Sequence, residues 1–171
     1  MHRTCPITSR RLGSSRWCAR WDSLLIPVGV RRHVYRAVDQ HGQVIDVLVS
    51  PRRDAAAARR FFRRALATLK VTPTEVVNDA APVYPAVLDE LIPSAWHHVE
   101  RYANNPIEAD HGRLKHRLRP MRGLRTDMTS QVIIAGHALM LNLRRGHYEL
   151  AVDASPATRI AAAFTELARA I

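Results

Sequence analysis

Acidic side chains are scarce in this 171-residue chain: 15 Asp and Glu stand against 26 Lys and Arg, a formal net charge of +11. Such an imbalance implies a polyanionic partner, and nucleic acid is the commonest one. Cysteine is scarcer still. Cys5 and Cys18 are the whole complement, in no zinc-binding spacing, which fits a reduced compartment and no structural metal. No apolar run is long enough to span a bilayer, so a membrane is the weaker reading of the positive charge and no membrane partner is expected. The basic N-terminus lacks the apolar core of a signal peptide, which predicts a protein kept in the cytoplasm, on the nucleoid. The nine His form no HExxH pattern, and His97-His98 reads as surface rather than as a ligand pair. What is present is ordinary for a globular chain: 47% hydrophobic residues, enough length for one domain with appendages, and no internal repeat.

Residues 1–21 show no steady periodicity and are expected to be an irregular segment. Asp22 to Val30 and His33 to Val38 predict strands, and Val44 to Val49 predicts a third. Asp39-Gln40-His41-Gly42 between the last two is a hairpin turn signal. From Asp54, a candidate N-cap, the period changes. Ala58, Phe61, Phe62, Ala65, Leu66 and Leu69 recur at helical spacing while Arg59, Arg60, Arg63 and Arg64 face outward. Glu75 to Asn78 predicts a strand returning parallel to the sheet and ending at Asp79. Ligands of open α/β sheets bind beyond the carboxyl ends of strands, although an isolated Asp before Pro82 is more often a turn former. A short helix over Tyr84–Leu91 and a short strand over Trp96–Val99 follow. Thr129 to Arg145 predicts a long helix with Val132, Ile133, Gly136, Leu139, Met140 and Leu143 as its core stripe. Arg144-Arg145-Gly146 is its stop. Ser155-Pro156 opens a last amphipathic helix with Ile160, Phe164 and Leu167 on one face.

The chain is organised around Asn104 to Arg119. Asn105-Pro106 begins a helix, and Glu108 falls in its first turn, where the dipole favours a carboxylate. Lys115 is seven positions on and so projects from the same face. Arg113, Lys115, Arg117, Arg119, Arg122 and Arg125 form a basic run with no acid between them. On an isolated helix this is more often a dipole-matched Glu with a solvated face; the length of the run favours a groove for a phosphate backbone.

Four motifs, in order, resemble a DDE transposase, most closely the insertion sequence six family: Val34–Asp39, Val49–Asp54, Asn78–Tyr84 and Asn104–His111. The resemblance runs from about residue 31 to the C-terminus. It implies an α/β fold of the ribonuclease-H-like, integrase catalytic core type, a mixed sheet flanked by helices with C-terminal helices. It divides the chain into an irregular segment (1–21), a catalytic core (22–125) and C-terminal helices packing on the core (126–171). It implies metal-dependent cleavage and strand transfer of DNA, with transposon ends and target as partners and a homo-oligomer assembled on DNA. Asp22, Asp79 and Glu108 would hold two Mg²⁺ ions, for which Mn²⁺ can substitute, and Lys115 would contact transposon-end DNA.

The chain departs from the family in three places. Asn78-Asp79-Ala80 stands where Thr-Asp-Lys is usual. Trp17-Cys18-Ala19-Arg20-Trp21-Asp22 stands where Trp-x-x-Asp-Glu-Thr is usual, which leaves Asp22 as the candidate first carboxylate. There is also no room for the family's N-terminal helix-turn-helix, so an N-terminally truncated copy is expected. Two rival readings follow: an inactive remnant that binds DNA or an intact transposase, and a related nuclease such as a resolvase.

Overall fold

The computed structural model describes residues 16–25, 31–69, 72–78, 81–99, 105–118, 120 and 126–170. Its elements are β1 (Arg16–Leu25), β2 (Arg31–Asp39), β3 (Val44–Ser50), α1 (Ala55–Leu69), β4 (Glu75–Asn78), α2 (Tyr84–Leu91), β5 (Trp96–Val99), α3 (Asn105–Leu118), α4 (Asp127–Arg145) and α5 (Arg159–Arg169). The strands form one mixed sheet in the order β3-β2-β1-β4-β5. Strands β1, β2 and β3 meander antiparallel, and β4 and β5 then add parallel to β1.

Strand β1 sits at the centre and starts at Arg16, six residues before the expected start at Asp22. Its alternation was hidden because both faces are covered: Trp17 and Ala19 are buried on one side and Cys18 on the other. A strand buried on both faces reads as a continuous run, and Arg16 and Arg20 break even that. The second half of the expected strand, residues 26–30, lies outside the described residues.

The hairpin turn forms as expected. Gly42 takes φ +83°, its N–H reaches the Asp39 carbonyl at 3.1 Å, and Asp39 Oδ1 accepts from the N–H groups of His41 and Gln43 at 2.8 and 2.9 Å. Asp54 caps α1 through the Ala57 N–H at 2.8 Å. Helix α1 presses Ala58, Phe61, Phe62 and Ala65 against Trp17, Tyr35 and Val76, with α2 beside it on the same sheet face. The other face is covered by α3, through Leu114 and Leu118, and by α4, through Ile134 and Ala138.

Helix α4 buries part of its expected stripe, Leu143 with Ile133 and Met140 packed beside the core, and leaves the rest outside. Val132 and Leu139 are exposed, while Ser130, His137 and Asn142 are among the buried residues. Two polar residues of the helix serve the edge of the sheet, while the Ser130 hydroxyl donates to the Thr126 carbonyl of its own helix. Asn142 donates to the Val44 carbonyl at 2.9 Å and accepts from the Val44 N–H at 2.8 Å; Gln131 does the same for the Val47 carbonyl and Val49 N–H, both at 2.8 Å. The edge strand β3 thus finds partners in a helix. Gly146 ends α4 in the left-handed region, φ 79° and ψ 32°. Helix α5 begins at Arg159 after a turn and buries Ala163 beside Leu143 and Ala151; of the expected apolar face, Ile160 packs against this cluster while Phe164 and Leu167 are exposed.

Candidate active site

Two of the three candidate carboxylates fall in described elements, Asp22 in β1 and Glu108 in the first turn of α3. Asp22 lies opposite Val34 in the antiparallel pairing, a position on the sheet face that α3 and α4 cover. Asn78 is the last residue of β4 and pairs with Ala19 of β1, so Asp22 lies three positions further along β1, roughly 10 Å at strand rise. The β1 position one step past Ala19 is Arg20. Glu108 is the fourth residue of α3, which runs unbroken through Lys115 and contacts β1. Asp79 lies outside the described residues, as do Arg119, Arg122 and Arg125.

Around α3 the helix geometry sorts the basic run. Asp110, Leu114 and Leu118 form the buried side. At ~100° per residue, Lys115 falls within ~20° of Glu108, whereas Arg113 and Arg117 fall ~140° and ~180° away. Lys115, Arg113 and Arg117 are all exposed. The Glu108–Lys115 flank and the Arg113–Arg117 flank are therefore distinct, and the described part of the run is split between two sides of the helix.

Other acids near the sheet are committed elsewhere. Asp39 caps the hairpin turn. Asp46 pairs with Arg64 of α1 at 3.0 Å, on the opposite sheet face, and burial pushes its carboxyl up against the opposing pull of Arg64 and the Val47 N–H. Asp127 holds Arg32. Among the described residues, no three His, Cys, Asp or Glu gather as a metal cluster.

Asp110 is committed most deeply. It lies two residues after Glu108 and is 2% exposed, beside Arg36 of β2, which is fully buried. Their closest approach is 3.8 Å. Asp110 accepts its hydrogen bond from Arg145 of α4 instead, at 2.7 Å, with Arg113 at 3.5 Å. Arg145 also donates to the Gly42 carbonyl at 2.9 Å. Burial lowers the Arg36 guanidinium to about 10, Asp110 raising it and Arg145 lowering it, so it stays charged at neutral pH. Its three nitrogens have no hydrogen-bond acceptor among the described residues. This cluster ties α3, α4 and the β2–β3 hairpin together beside the Glu108 end of α3, and it was not foreseen. An Arg inside the apolar run Val34–Val38 was the available sign, because a charge on a buried strand face requires a countercharge.

At the end of β4, Asn78 is fully buried and its side-chain amide donates to His97 Nε2 of β5. Acceptance needs a neutral imidazole at Nε2, in keeping with a His97 pKa lowered chiefly by burial. Asn78, in the position where the family has Thr, is thus a buried link between β4 and β5.

A mixed five-stranded sheet with this order and helices on both faces is a ribonuclease-H-like fold, and solved structures share it. The HTLV-2 integrase catalytic core domain in complex with magnesium (dimeric form) matches with a TM-score of 0.60 and 16% identity, over 75% of this chain and 85% of that one. A chain of the simian T-cell lymphotropic virus intasome in complex with PP2A regulatory subunit B56 gamma also gives 0.60 and 16%, over 74% and 48%. By sequence, residues 22–147 match the model of the DDE domain of IS240-type transposases, and the chain belongs to that family. Two Staphylococcus aureus proteins, the transposase for insertion sequence-like element IS431mec and the transposase for insertion sequence element IS257 in transposon Tn4003, are each 30% identical over 88 residues. The match covers 48% of this chain and 39% of each relative, about two fifths of the relatives' length.

Proposed function

We propose that this chain is the catalytic domain of an insertion-sequence transposase, cleaving DNA and joining the freed 3′-hydroxyl to a target strand. The observation that carries the reading is the match of residues 22–147 to the DDE domain, on a sheet of the integrase-core type. Asp22, Asp79 and Glu108 are the metal ligands, residues 22–125 the core, and residues 126–171 the helices packed on it. The donor set suits the group: three carboxylates are hard oxygen ligands of the kind Mg²⁺ prefers, and the neighbouring acids Asp39, Asp46, Asp110 and Asp127 already have other partners. Two Mg²⁺ ions, or Mn²⁺ in their place, would supply activation of the attacking oxygen and stabilisation of the leaving one.

The chain's own residues hold and orient. Glu108 is set at the first turn of a helix whose buried side is anchored by Asp110, Leu114 and Leu118. Lys115, two turns on, neutralises a phosphate of the transposon end; Arg113, Arg117, Arg119, Arg122 and Arg125 extend the contact to flanking or target DNA. The protein acts as a homo-oligomer on DNA, in the cytoplasm at the nucleoid. Among the described residues no helix is long and apolar enough to cross a membrane.

The test is a strand-transfer assay on the full chain with Mg²⁺ or Mn²⁺ and end-sequence duplexes, run beside Asp22→Ala, Asp79→Ala and Glu108→Ala. Joining by the parent, abolished in all three variants, is the expected result. Joining that survives only Asp22→Ala would move the first carboxylate elsewhere. Duplex binding without joining at any metal concentration would reduce the chain to a DNA-binding remnant.

A further inference from the structure

The outer face of α1 carries four arginines that the catalytic reading does not use. Arg59, Arg60, Arg63 and Arg64, with Ala56 and Ala67 at its two ends, line an open groove of about 470 Å³. The helix lies on the sheet face opposite α3, so this groove is no part of the phosphate path along Lys115. Residues 59/63 and 60/64 are four apart, a spacing at which like charges repel along a helix. Counter-charge is incomplete. Among the described residues Glu90 takes Arg59 at 2.6 Å and Arg63 at 3.6 Å, Asp46 takes Arg64 at 3.0 Å, and Arg60 reaches only the Ser50 hydroxyl at 3.4 Å.

These contacts aim the side chains without exhausting them. A guanidinium has five N–H donors in a planar fork, and each partner here engages a minority of them. The fork matches phosphate oxygens two at a time, and no Lys substitutes for Arg on this helix. From Arg59 to Arg64 the helix rises ~7.5 Å, while duplex DNA presents one negative charge per ~1.7 Å of its axis, so the row can meet several phosphates of one duplex. Ala56 and Ala67 leave both ends of the groove open to a passing backbone.

We propose that the outer face of α1 is a second DNA-binding surface, holding the phosphate backbone of a duplex other than the one lying along α3. This rests on the DNA-joining reading above, and it gives one chain the means to grip two duplexes on opposite faces of its sheet.

The experiment is a titration of a random-sequence duplex against the full chain across a KCl series, recording stoichiometry and the slope of log K against log salt. Parent, Arg60→Gln/Arg63→Gln and Arg113→Gln/Arg117→Gln are compared, with melting curves showing that each variant is folded. The α1 pair should lose one of two binding events and leave the other intact. The salt slope of the lost event should accord with about 0.9 per phosphate neutralised. An α1 variant with the parent's stoichiometry and slope overturns the second surface alone. A parent that binds no duplex overturns this proposal together with the reading on which it rests.

Discussion

Replacing Asp110 by Asn keeps the shape of a side chain that is 2% exposed and removes its charge, leaving the fully buried Arg36 cation without its carboxylate. Removing one partner of a buried ion pair costs about 3–5 kcal/mol, because the remaining charge is stranded away from water. The 3.8 Å separation, with no direct hydrogen bond from Arg36, places this pair at the low end, near ~3 kcal/mol. For a domain of this size each kcal/mol moves the melting temperature by ~2–4 °C, so Asp110→Asn should melt ~6–12 °C below the parent. Arg145 also loses a partner, but at 30% side-chain exposure it can turn to water. Arg36→Met combined with Asp110→Leu removes both charges. Since well-packed apolar replacements of buried pairs are often neutral or stabilising, the double variant should return to within ~1 kcal/mol of the parent or exceed it. Thermal melts followed by circular dichroism, with urea curves for the free energies, make the comparison. An Asp110→Asn variant melting within a degree of the parent, or a double variant as unstable as the sum of its singles, would refute the reasoning.

Gly146 takes a left-handed conformation, and a Cβ there would stand 2.7 Å from an Arg159 nitrogen; Gly146→Ala should cost ~1–2 kcal/mol and lower the melting temperature. Gly112 in α3 has nothing among the described residues within 4 Å of an added Cβ, so Gly112→Ala should gain ~0.5–1 kcal/mol in the same melts. Asn142→Leu strands the N–H and C=O of Val44 at a cost of ~1–3 kcal/mol each, and hydrogen exchange should show the Val44 amide losing protection while the β1 amides keep theirs. His147 has its pKa lowered from 6.5 by burial and by Arg145 and His41, against the pull of Asp39. The folded state therefore binds that proton less readily than the unfolded one. Its contribution is fully present above about 6.5 and lost as pH falls through the folded value. A His147→Asn variant should show a smaller drop in melting temperature between pH 7 and 5.

The order of the ten elements was legible because most of them bury one face and leave its period in the sequence. Hairpin, Asp54 cap and Gly146 stop could be read from turn chemistry that acts within a few residues. The start of strand β1 could not be placed, since burial of Trp17, Cys18 and Ala19 on both faces erased the alternation that marks a strand. The inner face of α4 was only half legible for a related reason: Ile133, Met140 and Leu143 pack as expected, but Gln131 and Asn142 turn inward to bond β3, which a hydrophobic stripe does not show. At the candidate site, Glu108 was marked by the helix it opens. The Arg36–Asp110 pair was not, because its members are 74 positions apart and only the folded sheet brings them together.

The two amides of α4 that complete β3 also govern how copies of this chain can meet. With Val44, Val47 and Val49 already bonded to Asn142 and Gln131, an extended segment from another molecule finds these edge groups of β3 occupied. Growth by strand addition is thereby discouraged on that side. The opposite border of the sheet is β5, where Trp96 is 67% exposed and Val99 54%. The sheet therefore has a polarity: one margin is sealed by the protein's own helix, and the other, β5, pairs with no further strand among the described residues.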